Sequence, residues 1–178
     1  VNKLLTVAFV VYAARVLGPS DFGLYALLGS FSFFFTFFGN LGIGPMAIRE
    51  IARNRDKSEE IFNHVLSLRL TLVLVSYPVL ILVACLLNYD DELIFLIIIT
   101  GASSIFSVFS HSFGILYVAF ERFKAPSLIN MLVAFINTVA GIAVLYLDYG
   151  LRGVVLIALF GNIAGTVISN IWVRKRVI

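Results

Sequence analysis

Residues 93–120 read LIFLIIITGASSIFSVFSHSFGILYVAF, 28 residues with no aspartate, glutamate, lysine or arginine among them. No other feature restricts the fold of this chain as much. A helical run of about 20 apolar residues matches the ~30 Å hydrocarbon core of a bilayer. Inside hydrocarbon a helix satisfies its own backbone hydrogen bonds. A membrane barrel strand needs only about 10 residues and alternates polar with apolar side chains, whereas this run is longer and apolar throughout. Further apolar runs occupy residues 3–17, 24–47, 61–87, 127–147 and 153–173. The expected fold is therefore all-α, a polytopic membrane bundle of six transmembrane helices. Composition agrees: 61% of the chain is hydrophobic and 13% charged, against about 45–50% and about 25% in an average soluble domain. A soluble protein of 178 residues has too little interior for that much apolar surface.

The connections are punctuated as helix ends should be. Gly18-Pro19 stops the first run, and Ser20 or Asp21 can cap the second. Asn88 to Glu92 join the third and fourth runs, Pro126 starts the fifth, and Asp148-Tyr149-Gly150 follows it. Short loops make neighbouring runs antiparallel. No soluble domain is inserted, and no internal repeat is evident. Cys85 is the one cysteine, so no disulfide framework exists. The sequence shows no cleavable signal peptide, and it begins at Val1, already hydrophobic, as a fragment would.

Basic residues set the expected orientation. Lys3, Arg49, Arg53, Arg55, Lys57, Arg122, Lys124, Arg174, Lys175 and Arg176 fall on one side, with Arg69 two turns into its run from that side. Only Arg15 and Arg152 fall on the other. This asymmetry puts the N-terminus, the 48–60 segment and the C-terminus in the cytoplasm of a multi-pass cell-membrane protein. It also accounts for the pI of about 9.2 without nucleic-acid binding, since the cations sit where topology requires them and not on one soluble face. The longest cytoplasmic piece, IREIARNRDKSEEIFNHV, mixes both signs. It reads as a solvated helix on the membrane surface, or as a contact for anionic headgroups of membrane lipids.

Polar residues within the runs recur at helical spacing. Thr100, Ser104, Ser107, His111 and Gly114 form one stripe, Asn130, Ala134, Asn137 and Gly141 a second, and Asn162, Thr166 and Asn170 a third beside Gly161 and Gly165. Gly29, Thr36 and Asn40 lie roughly on one face of the second run. Two readings stand. Small and hydroxylated residues let membrane helices approach and bond to each other, or the stripes together line a hydrated interior. His111 is ionisable at membrane depth, which marks a candidate site, although a neutral imidazole bonded to a serine or carbonyl is equally ordinary. His64 sits near the cytoplasmic end of its run.

No catalytic motif is present: no HExxH, GxSxG, P-loop or CxxC. The chain is not expected to be an enzyme, and no cofactor or metal is implied. The nearest thing to a constellation is Arg15, Arg49 and Arg69, each near the end of a run. Guanidinium groups bind phosphate bidentately. They also anchor helices by snorkelling to the interface.

ARVLGPSDFGLYALLGSF, followed by GNLGIGPMAIREIARN, resembles the start of the Wzx-like polysaccharide-biosynthesis flippases of the MATE/MOP superfamily. The matching pieces lie at residues 14–23 and 41–53. The resemblance implies two six-helix lobes around a central cavity, of which this chain would be the N-terminal one, its first helix clipped and its partner the missing C-terminal lobe of the same chain. It implies movement of a lipid-diphosphate-linked oligosaccharide from the inner to the outer leaflet for surface polysaccharide synthesis. In that scheme Arg15 holds the diphosphate, Arg49 and Arg69 stand nearer the cytoplasmic mouth, and His111, Asn40 and Asn137 line the path. The rival readings are a MATE-type exporter of drugs or small solutes, which calls for acids inside the runs, and a structural membrane protein that transports nothing.

Overall fold

A computed structural model describes residues 2–121 and 124–176, and every regular element among them is helical. In chain order these are α1 (Asn2–Asn40), α2 (Ile43–Arg53), α3 (Ser58–Leu86), α4 (Asp91–Ala119), α5 (Lys124–Tyr146) and α6 (Gly150–Arg176). Among the described residues four stretches are long and apolar enough to cross a membrane: Lys3–Arg53, Arg55–Leu86, Asp91–Ala119 and Gly150–Ile171. The first two expected runs both fall within the first of these stretches, on either side of a kink at Gly18, and among the described residues the apolar part of α5 is Asn130–Tyr146. Of the basic residues used for orientation, Arg122 lies outside the described residues, as do the side chains of Lys124, Arg174, Lys175 and Arg176.

α1 is not straight. Gly18 has φ 73 and ψ 176, a conformation only glycine adopts readily, and Pro19 follows as the first residue of a new helical arm. The rings of Phe9 and Tyr25 come within 6.2 Å of each other. An unbent helix would hold residues so far apart in sequence about 24 Å from one another. The chain thus turns back on itself at a single residue.

A second interruption separates α1 from α2. Leu41 (φ 29) and Gly42 (φ 74) are left-handed, so the second expected run ends at Asn40 and not at Ala47. Its continuation, α2, buries Ala47 and Ile51 in one cluster with Phe62 of α3 and with Phe113, Ile115, Leu116, Tyr117 and Ala119 of α4. Gly44 meets Arg69 further along α3, so α2 runs back antiparallel to the first turns of α3. The segment expected to lie along the membrane surface therefore packs against two helices.

α4 is the hub, touching α1, α2, α3 and α6, while α5 leans on α6 and α1. At the opposite end from α2, Leu28, Phe31 and Phe35 pack with Ala84, Leu93, Leu96, Ile97, Leu151 and Val155. In hydrocarbon such clusters gain from close packing rather than from leaving water. Glycines allow it at specific places. Gly39 admits Val73 and Val108, and Gly101 admits the Tyr77 ring, whose hydroxyl donates to the Ile98 carbonyl at 3.0 Å. Rows of large apolar side chains face outward, among them Phe33, Phe34, Phe37, Leu132, Phe135, Ile136 and Phe160.

Candidate functional site

Three of the polar stripes meet. Gly29, Ser32 and Thr36 from the second arm of α1, Thr100, Ser103, Ser104 and Ser107 from α4, and Asn162 from α6 line one groove of about 280 Å³. The α4 members occupy the middle third of that helix. Local bonding decides which of them are spent on structure. Ser104 donates to the Thr100 carbonyl at 3.0 Å, and Thr36 to the Ser32 carbonyl at 2.8 Å. These bonds stay within one helix and leave the hydroxyl oxygens able to accept. Asn162 instead crosses helices, its Nδ2 donating to Ser103 Oγ at 2.8 Å. Thr166 is buried and donates to the Phe106 carbonyl at 2.8 Å. Asn162 and Thr166 thus bind α6 to α4, as the packing reading expects, and the α1 and α4 stripes line the groove.

A second groove of about 270 Å³ lies between the first arm of α1, α5 and α6, lined by Thr6, Asn137, Thr138 and Gly141 among others. Tyr25, Val154 and Ala158 line both grooves and form the wall between them. Asn137 carries the α5 stripe into this second groove. Its side chain lies against Gly161 at a place where no Cβ would fit, and its buried Oδ1 has no hydrogen-bond partner. Gly165 also faces α5, at Val133, so the Gly161–Gly165 pair is where α5 and α6 approach. Neither groove has an acid among its lining residues.

The three arginines are not brought together. Arg15 is exposed, three residues before the reversal at Gly18, and lines neither groove. Arg49 is exposed on the outer face of α2. Arg69 is 3% exposed and is the one buried charged side chain among the described residues. By helical rise, Arg15 and Arg69 lie about 30 Å apart along the bundle, so one diphosphate cannot touch both at once. Arg69 Nη1 donates to Ser112 Oγ at 3.2 Å, and Ser112 in turn donates to the Val108 carbonyl at 2.9 Å. Arg69 Nε has no partner. His111, exposed beside Ser112, stands within electrostatic reach of Arg69. Asn40 is half-buried and donates to the Thr36 carbonyl at 2.9 Å, capping the end of α1 just before the break.

The sequence did not single out Ser32, Ser103, Tyr25 or the Ser112 partner of Arg69. Ser32 and Ser103 flank stripe residues in spacing and were within reach. The partnership of Arg69 with Ser112 links residues 43 apart in sequence, for which a single sequence carries no signal. The break was signalled by GNLGIGP, which packs three glycines and a proline into seven residues.

At the end bearing the Gly18 reversal, Asp21, Asp90, Glu92, Asp148 and Arg152 surround a further groove. Arg152 Nε pairs with Glu92 Oε1 at 2.7 Å, so one of the two basic residues on that side is neutralised. The end formed by α2 and the 3-10 turn at Arg55–Lys57 exposes Arg49, Arg53, Arg55 and Lys57.

A family model described as polysaccharide biosynthesis protein matches residues 1–178. No curated protein and no solved structure matches the chain.

Proposed function

The chain belongs to the polysaccharide biosynthesis protein family, the family of Wzx-like flippases of the MOP superfamily, and from that premise we propose that it forms one lobe of a flippase for lipid-diphosphate-linked oligosaccharide. The observation that carries this reading is the polar groove at mid-bundle, where stripes from α1, α4 and α6 converge. A glycan is a dense array of hydroxyls. It crosses hydrocarbon only where protein hydroxyls and amides replace its water, while its lipid tail stays in the bilayer. Transporters of repeat-built architecture place their substrate near the membrane midplane between two lobes that rock against each other. The groove is half open, which suits a wall that a second lobe completes.

In this proposal the two arms of α1 and helices α3 to α6 make six crossings. The cationic end with α2 is cytoplasmic, and the acidic end with the Gly18 reversal faces outward, following the distribution of basic residues. Arg15 then meets the diphosphate near the outer face, and Arg49 and Arg69 meet it earlier, near the cytoplasmic mouth. The separation of about 30 Å along the bundle makes these successive stations. His111, Asn40 and Asn137 line the intervening path. The grooves lack acids, which favours this reading over a cation-coupled exporter of small solutes, where a carboxylate at membrane depth is expected.

The test is glycan export by an Arg15→Ala variant. Export should fall while the amount of protein in the membrane stays unchanged. Normal export by that variant would remove Arg15 from the pathway and, with it, the two-station scheme.

A further inference from the structure

Four hydroxyls in the mid-bundle groove are left unbonded by the fold. A serine or threonine inside a helix can donate to a carbonyl one turn back. Ser30, Thr36, Thr71, Ser76, Ser104 and Ser112 all do so, at 2.8–3.1 Å. Tyr25, Ser32, Thr100 and Ser107 line the groove, and their hydroxyls make no hydrogen bond to any described residue. Thr100 is the sharpest case. It is only 7% exposed, yet its oxygen is not sealed among protein atoms, so the hydroxyl opens onto the groove that the residue lines. A hydroxyl without a partner at membrane depth costs free energy, and only something that enters the groove can supply one.

The other lining residues define what suits that space. Ser104 and Thr36 have donated to their own helices and keep oxygens that accept. No residue that lines the groove is charged. A carboxylate or ammonium placed there would be a desolvated charge with no counter-charge on this wall. α6 adds Val154, Val155 and Ala158, an apolar flank beside the two polar rows. A pyranose matches each of these properties. It carries hydroxyls that donate and accept around its rim, C–H bonds on its faces, and no charge. The groove's volume of about 280 Å³ lies just below the ~300 Å³ at which small-molecule sites begin, room on this wall for a single sugar unit.

We propose that Tyr25, Ser32, Thr100 and Ser107 form a binding site for one uncharged pyranose unit, its rim toward α1 and α4 and a face toward α6. This deepens the flippase reading and rests on it for the parent of the sugar, a glycan in transit on its lipid carrier. It also narrows the cargo. The unit on this wall is a neutral hexose or an N-acetylhexosamine and not a uronic acid, whose carboxylate would find no cation among the lining residues.

The experiment is saturation-transfer NMR on the full-length protein in phosphatidylcholine nanodiscs, free of glycoside detergents, whose headgroups are themselves pyranoses. The probes are the methyl glycosides of glucose, galactose, mannose and N-acetylglucosamine, with methyl glucuronoside as the charged counterpart. At least one neutral glycoside should bind, and the glucuronoside should bind at least ~10-fold more weakly. Thr100→Val keeps the side-chain shape and removes one donor, which should weaken the neutral sugar about 2- to 10-fold. Gly29 lines the same groove, and a Cβ there meets nothing within 4 Å. Gly29→Leu therefore fills the groove without disturbing the packing. It should abolish binding, and it keeps the test valid if Thr100→Val does not fold. Ser76→Ala, which removes a buried hydroxyl bonded within α3 and outside the groove, should bind as the parent does. Binding of no neutral glycoside, glucuronoside binding as tight as the neutral sugars, or undiminished affinity in Gly29→Leu or in folded Thr100→Val overturns the proposal. Glycan export separates this site from the reading it rests on. Sugar binding with normal export by Gly29→Leu would keep the site and remove it from the transport path. Export lost in Gly29→Leu, with no glycoside bound by the parent, would keep the flippase and overturn the pyranose site.

Discussion

Gly161 and Gly114 show how differently one residue type serves this bundle. The place of a Gly161 Cβ is already occupied by the Asn137 amide, whereas a Cβ on Gly114 meets nothing within 4 Å. Gly161→Ala must push α5 from α6, and overpacking of this kind costs about 1–3 kcal/mol. Gly114→Ala should be neutral or slightly stabilising, since alanine is the better helix former by ~1 kcal/mol. Thermal unfolding in detergent separates the two, and equal Tm values would contradict the α5–α6 contact. The same scale shows what a single sequence conveys about a polar residue. Spacing placed Asn162 and Thr166 on one face correctly. It carried no sign that Asn162 reaches Ser103 while Thr166 reaches a carbonyl of α4, because bonding depends on which helix stands opposite.

At the scale of elements, the long apolar helices were legible from run length and the absence of charge, and α3, α4 and α6 begin within three residues of their expected starts. The structure adds most at two glycine positions with positive φ, and at one of them, Gly42, the reading failed. At Gly18 the sequence showed a stop and a restart, and the structure adds that the reversal needs no loop. At Gly42 the apolar run resumes after the single polar Asn40, and pattern reasoning carried the helix across the break. Hydropathy measures what surrounds a residue and is silent about backbone handedness. Gly18→Ala therefore carries a definite expectation. Its φ 73, ψ 176 backbone lies in a region that costs a side chain about 1–3 kcal/mol. The variant should melt at lower temperature and yield less monodisperse protein on size-exclusion chromatography. An unchanged melting profile would mean that the reversal does not depend on glycine.

For the whole molecule, the question is whether the mid-bundle groove holds water. With Cys85 replaced by serine, a cysteine at Ser32 or Ser107 should react with a membrane-impermeant maleimide, because both residues line the groove and a thiol ionises only where water reaches it. A cysteine at Phe160, large and exposed on α6, faces lipid in this arrangement and should stay unreacted. Protection of both groove positions would make the stripes dry packing surfaces and leave the structural reading standing. The reversal at Gly18 bears on how such a bundle is made. Two arms joined by one residue leave the ribosome as a single 39-residue element. A translocation channel is then expected to release both arms together, because no loop joins them. That end of the bundle offers proteases and antibodies no loop between those arms to seize.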